Sequence, residues 1–322
     1  MMLLPRPARQ QLPIRAVRLH REYEGTNVRI GLSAYGLAAP DIIALSRDAE
    51  AAGFDSVWIG EHVLAPQRYK SSHPQAAAAV RHHTTGHAHA SVRLVDPLSA
   101  LAAAGAVTHR ITLATGVYVA PLRHPLQIAR SACTVAEVTG NRLILGLGAG
   151  WLVEEFAALN APFEARFRCL RDGTGIIREA LGGGWISRTT GEYRFEPVQI
   201  TDSSTSVPLI LGGNSDRALR RAASLGDGWL SSGTPTLAEA VGLRDRLDSE
   251  TARHDRSTPF RTWFRMPGAD TDELRRWIDA GFDDIVIWAD VVWPSTDPHR
   301  SEILAEHARR LGIGMTGGSV SR

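Results

Sequence analysis

The chain has 322 residues with a formal net charge of +2, long enough to bury a large core without disulfides or a metal. So small a charge gives no sign of a nucleic-acid partner, and no apolar run approaches the ~18 residues of a membrane span. Arginine carries almost all the positive charge, Lys70 being the only lysine; with the alanine content, this reads as GC-rich bacterial coding rather than a binding surface.

Cys133 and Cys169 lie far apart with no CxxC spacing and are expected to be free thiols in a reducing compartment. Residues 1–26 are arginine-rich and acid-poor, but no apolar h-region of a secretory signal follows. They are expected to form a loosely docked or disordered extension, residues 27–315 one folded domain and residues 316–322 a tail, in a cytoplasmic protein.

From Val28 onward, short β-rich runs alternate with helical stretches, the pattern of a parallel sheet. The predicted strands are Val28 to Ser33, Ser56 to Ile59, Ile111 to Val119, Leu143 to Leu147, Pro208 to Leu211, Gly228 to Leu230, Phe260 to Arg265 and Ile285 to Trp288. Eight is the number of a (β/α)₈ barrel. An open doubly wound sheet could also carry eight strands, but no nucleotide-binding glycine fingerprint follows the first one.

Between the strands the apolar period changes to about 3.6. Pro40 and Asp41 open a helix with Ile42, Leu45, Ala49 and Ala52 on one face, and Gly53 ends it. Pro125 opens another with Ile128, Ala132, Val135 and Val138 inward, closed by Gly140-Asn141. Ala218, Ala222 and Leu225 repeat the pattern, as do Leu274, Trp277 and Ile278 before Gly281. Two segments exceed ordinary connections: residues 65–95 after strand two, a lid on the carboxyl side where barrel active sites form, and residues 182–206 before strand five, with a hairpin around Gly191. The second should approach from the opposite end unless its hairpin folds back over the mouth.

Four strand ends carry candidate chemistry. Glu61 and His62 end strand two, a carboxylate beside an imidazole suited to proton transfer or to bonding a polar ring edge. Gly116-Val117 end strand three, where a glycine lets backbone approach a flat ligand or simply marks a bulge. Strand four runs into Gly148, Ala149, Gly150 and Trp151, half a nucleotide fingerprint that a tight turn explains equally well. Strand five runs into Gly212, Gly213, Asn214 and Ser215 at a helix start, a phosphate cradle or a plain helix cap. His73, His82, His83, His87 and His89 invite a metal reading, but HxH at 87–89 follows Gly86 in an Ala/His-rich loop rather than a strand end. No metal is expected.

Together, IGEHVLAP at 59–66, ITLATGVYVAPLRHPLQIAR at 111–130, GNRLILGLGAGWLVEEF at 140–156 and VPLILGGNSDRALRRAASLGDGW at 207–229 resemble the luciferase-like monooxygenase superfamily. Within it they resemble most the deazaflavin (coenzyme F-420)-dependent subgroup, over roughly residues 28–313. The resemblance implies a single barrel of bacterial-luciferase type with the cofactor at the carboxyl ends of its strands. It places His62, with Glu61, beside the reactive face of the ring and matches Gly116-Val117 to a non-prolyl cis peptide behind it. Gly148 to Trp151 would line the cofactor and Gly212 to Ser215 hold its phosphate.

Two departures bear on chemistry. Trp151 stands where the superfamily's sugar-phosphate dehydrogenases carry an acidic glutamate, which argues against that substrate. Ala149 stands where FMN-using luciferase subunits carry a phosphate-gripping arginine, which favours the deazaflavin. The resemblance thus implies hydride transfer between coenzyme F-420 and a small organic substrate, in a pocket drawing on the lid, Tyr35, Trp151 and Trp288. The alternatives are a two-component monooxygenase using FMNH₂ and O₂ and a non-catalytic flavin-binding barrel; a separate flavin or deazaflavin reductase is a compatible partner. Members of this group often pair, so a homodimer is compatible; no nucleic-acid or membrane partner is expected.

Overall fold

The computed structural model describes residues 28–71, 92–256 and 258–313. The amino-terminal extension, the histidines between 73 and 89, most of the lid and the tail lie outside the described residues.

Eight parallel strands close into a barrel: β1 (Arg29–Ala34), β2 (Ser56–Ile59), β3 (Thr112–Thr115), β4 (Leu143–Gly148), β5 (Leu209–Gly212), β6 (Gly228–Leu230), β7 (Arg261–Arg265) and β8 (Asp284–Trp288). Each pairs with the next, and β8 returns to β1 in the register Arg29↔Asp284 through Ser33↔Trp288. Because side chains alternate along a strand, the strands fill two cores. Trp58, Ala114, Ile144, Ile210, Leu230, Trp263 and Val286, one from each of seven strands, form a cluster of their own, the packed filling of the barrel. Their neighbours in sequence, such as Val57, Ile59, Leu113, Leu145 and Ile285, join the larger shell between sheet and helices.

That shell is built from amphipathic helices. In α1 (Ala39–Ala52) Pro40 sits in the first turn, and Gly53, at φ 90°, returns its N–H to Ala49 and Glu50, a conformation glycine adopts without steric cost. After α2 (Pro97–Gly105), α3 (Pro125–Thr139) buries Ile128, Ala132 and Val135. Val138 does not join them: it is 44% exposed. Three residues past Val135 the helix falls short of a full turn, and Thr139 takes the inward place instead.

The sequence reading of Ile111 to Val119 as one strand also needs correction. After Thr115 the ladder breaks and resumes only at Tyr118–Val119, paired with β4. The Gly116 carbonyl bonds to Arg265 at 2.8 Å rather than to a neighbouring strand, and the Gly116–Val117 peptide is cis.

Two helices follow β4: α4 (Val153–Ala158) and α5 (Arg166–Leu181). An antiparallel hairpin, Trp185–Arg188 against Phe195–Gln199, comes next. Its turn folds back along α5 towards the carboxyl end: Glu192 pairs with Arg168, and Tyr193 meets the ring of His124, at the start of α3, at 5.2 Å. The remaining helices are α6 (Asp216–Leu225), α7 (Leu237–Thr251), α8 (Thr271–Asp279), α9 (Ala289–Val292) and α10 (Arg300–Arg310). Trp293 and Ser301 both donate to Asp48 of α1, which ties the last helix to the first.

At the amino ends of the strands, Asp284 accepts two hydrogen bonds of 2.6 Å from Arg29 and one of 2.9 Å from Arg261. The bridge joins β8 to both its neighbours. Among the described residues, no helix is long and apolar enough to cross a membrane.

Candidate active site

At the opposite, carboxyl end a cavity of about 640 Å³ opens into the barrel mouth. Every residue singled out at the strand ends lines it: Tyr35, Glu61, His62, Gly116, Val117, Gly148, Ala149, Gly150, Trp151, Gly212, Gly213, Asn214, Ser215 and Trp288. Their convergence follows from the topology, since β1 to β5 and β8 all end at this face.

His62 is 8% exposed and held on three sides. Tyr35 and Trp151 meet its ring edge-on, with centroids 6.0 and 5.4 Å away. On the third side Glu155 Oε2 lies 3.0 Å from Nδ1, while its Oε1 takes the N–H of Val63 at 2.5 Å. A carboxylate only accepts hydrogen bonds, so it keeps the ring proton on Nδ1 and leaves Nε2 as the basic nitrogen. Glu155 was not among the residues selected from sequence. It lies in α4, four residues past Trp151, and faces inward, fully buried. The segment after β4 thus brings a carboxylate to His62 four residues beyond Trp151.

Glu61 lines the same cavity with its charge already engaged. Its carboxylate accepts from the Val119 N–H at 2.7 Å and from Arg123 at 2.6 Å. Burial pushes its carboxyl up, against the pull of Arg123 and the Val119 N–H. Tyr35 has a hydroxyl buried without a partner among the described residues; burial and then the nearby Glu155 raise its pKa, keeping the phenol protonated.

The opposite wall is made of backbone. Gly213 has φ 114°, a conformation that favours glycine, and a Cβ on Gly212 would crowd Val117 Cγ1 at 3.0 Å. The polar side chains of this turn are occupied: Asn214 exchanges two hydrogen bonds of 2.8 Å with the backbone of Ser232, and Ser215 caps α6 through the Ala218 N–H. What the turn offers an anion is its backbone, the first N–H groups of α6, at the positive end of the helix dipole.

Arginines that the sequence did not single out complete the cavity. Arg166 and Arg221 line it, both stacked on Phe167 at 4.3 and 5.0 Å. Burial lowers the pKa of each, and neither has a carboxylate at ion-pair distance among the described residues. They stand with the start of α6, whose Ala218 also lines the cavity. Arg265, at the end of β7, lies at the barrel centre beside Ser33 and Ser231. Arg265 was findable as a charge at the carboxyl end of a barrel strand; Arg166 and Arg221 lie on helices and gave no signal. Among the described residues, no group of three or more metal-ligating side chains occurs.

The cavity therefore fits a flat, phosphorylated ligand: glycine walls without Cβ atoms, a helix start beside two arginines that have no ion pair among the described residues, and a fixed imidazole. Known proteins resemble the chain along most of its length. An uncharacterised protein of Mycobacterium tuberculosis is 29% identical over 268 residues, covering 81% of this chain and 90% of its own length. The F-420-dependent glucose-6-phosphate dehydrogenase of Beutenbergia cavernae is 31% identical over 230 residues, 66% of this chain and 62% of its own. In fold, the chain matches the coenzyme F-420-dependent tetrahydromethanopterin reductase of Methanopyrus kandleri with a TM-score of 0.65, at 14% identity over 89% of this chain and 99% of that one. Residues 25–276 match the family described as luciferase-like monooxygenase, and the chain belongs to that family of oxidoreductases.

Proposed function

We propose that the protein transfers hydride between a deazaflavin of the coenzyme F-420 type and a small organic substrate, with His62 as the proton donor or acceptor. The observation that carries this reading is the buried His62–Glu155 pair, which shares one cavity with a glycine-built phosphate cradle. Deazaflavin dependence in the name of the Beutenbergia relative supports the cofactor. The bound ring supplies the hydride chemistry. The chain's residues do the rest: the start of α6 with Arg166 and Arg221 holds the phosphate, Val117 and the Gly148–Trp151 turn support the ring, and Tyr35 and Trp151 shield His62 from water. Trp151 in place of an acid directs the enzyme to a substrate other than a sugar phosphate.

A second reading, FMNH₂-dependent oxygenation, is favoured by Arg166 and Arg221. Ala149 denies a short ribityl phosphate an arginine from the β4 turn, yet these two could supply that charge from α5 and α6. Parallel titrations of the purified protein decide between them. Deazaflavin binding tighter than FMN by at least about tenfold, or some 1.4 kcal/mol, is expected. Equal affinity with oxygen-dependent hydroxylation of a substrate would transfer the assignment to the monooxygenase.

A further inference from the structure

Arg265 is only 5% exposed, and no carboxylate pairs with it among the described residues. Three of its five side-chain N–H groups go to neutral oxygens: Ser33 Oγ at 3.2 Å, the Ser231 carbonyl at 2.5 Å and the Gly116 carbonyl at 2.8 Å. These partners come from the ends of three different strands, so the guanidinium is fixed at the barrel centre, with Trp288 stacked 5.3 Å away. Burial lowers its pKa, but only to about 10, so it remains a cation at neutral pH. A neutral amide could serve the same oxygen acceptors without the cost of burying a charge. A buried charge without a counter-charge in the chain, lining a ligand cavity, has its partner in the ligand.

We propose that Arg265 is the counter-charge for an anionic ring, receiving the delocalised oxyanion along the pyrimidine edge of a bound deazaflavin or reduced flavin. The assignment rests on the cofactor reading above. An oxidised hydroxy-deazaflavin, or a reduced flavin of either kind, ionises near neutral pH and spreads its charge over the oxygens and nitrogen of that edge. Two N–H groups of a planar guanidinium match such adjacent acceptors, which a lysine could not. The location agrees, because Arg265 grips the carbonyl of Gly116, part of the wall against which the ring is placed. The ligand's phosphate is provided for elsewhere, at the start of α6.

The test uses the full-length protein loaded with oxidised deazaflavin or, under anaerobic conditions, with reduced FMN. The absorbance of the bound ring is followed against pH in the wild type, Arg265→Gln and Arg265→Met, two neutral variants that pack differently. Binding to the wild type should lower the pH at which the ring ionises relative to the free cofactor. Either folded variant should move it back up by at least about one pH unit, tenfold in the ionisation equilibrium. A folded variant whose bound ring ionises as in the wild type overturns the assignment and leaves the cofactor reading standing. So does a loss confined to the KM of a carboxylate-bearing substrate. A wild type that binds neither cofactor overturns the cofactor reading, and the role of Arg265 with it.

Discussion

Glu155 Oε2 stands 3.0 Å from Nδ1 of His62, although 93 positions separate the two residues in the chain. Its Oε1 is meanwhile engaged by the Val63 N–H. The two oxygens thus do different jobs, one holding the chain just ahead of the lid and the other setting the histidine tautomer. In Glu155→Gln, Oε1 can keep the Val63 contact while an NH₂ donor replaces Oε2. Nδ1 must then accept, and the ring proton moves to Nε2. We expect kcat to fall with KM and melting temperature nearly unchanged, whereas His62→Ala lowers kcat by roughly 10²–10⁴. Steady-state kinetics beside a thermal melt make the comparison; an undiminished kcat in both variants would leave the pair a purely structural contact.

Arg166 and Arg221 should act on cofactor affinity rather than on turnover. Either Arg→Ala change is expected to weaken binding by about 1.5–3 kcal/mol, the worth of a hydrogen bond to a charged group. The double variant should also flatten the salt dependence of the dissociation constant. Fluorescence titrations at low and high salt measure both effects, and affinity unchanged in the double variant would place the phosphate elsewhere.

Glu154 gives the root of the lid a pH dependence. Burial works against its ionisation, but hydrogen bonds from the Lys70 N–H and from the Ser71 hydroxyl and N–H outweigh it and hold its pKa at about 2, below the ordinary 4.5. An acid whose pKa falls on folding contributes stability above its unfolded value and loses it as pH drops through the folded one. The clamp should therefore be intact at neutral pH and weaken only below about pH 4. The NMR amide shifts of Lys70 and Ser71 should stay constant down to that point; movement centred on the ordinary value would mean that the clamp does not form.

Asp284 should matter for stability alone. It is 4% exposed and bridges Arg29 and Arg261 at the end of the barrel remote from the cavity. Asp284→Ala leaves Arg261 without its acid and Arg29 with only the longer contact to Asp283; since both arginines reach solvent, the expected cost is about 1–3 kcal/mol. Denaturant unfolding measures the loss, and the kcat of the protein that remains folded should match the wild type.

Local pattern in the sequence suffices for the eight strands and most helix ends, because apolar runs, Pro40, Pro125, Gly53 and Gly140 act on their immediate neighbours. It also suffices for the turns lining the cavity, since a strand end followed by glycines marks the rim of a barrel whatever its partners are. It fails where spatial neighbours decide the outcome. At the break after Thr115 the Gly116 carbonyl goes to Arg265, 149 residues away. Val138 fits an approximate helical stripe but not the true phase of α3. Glu155 reads as a solvated residue beside Glu154 until α4 turns one carboxylate inward and the other towards the lid. Arg265 sits at a position of β7 where alternation calls for an interior residue, and its charge was the clue that its identity gave.

The bridge of Arg29, Asp284 and Arg261 has a consequence for how this scaffold can diversify. It fastens the last strand to both its neighbours from below, so closure of the barrel is anchored on the side opposite the turns that line the cavity. Side chains of the cavity rim outside the glycine positions can therefore change without touching this bridge. Mutations that retune which molecule enters the mouth can accumulate on a base that does not register them.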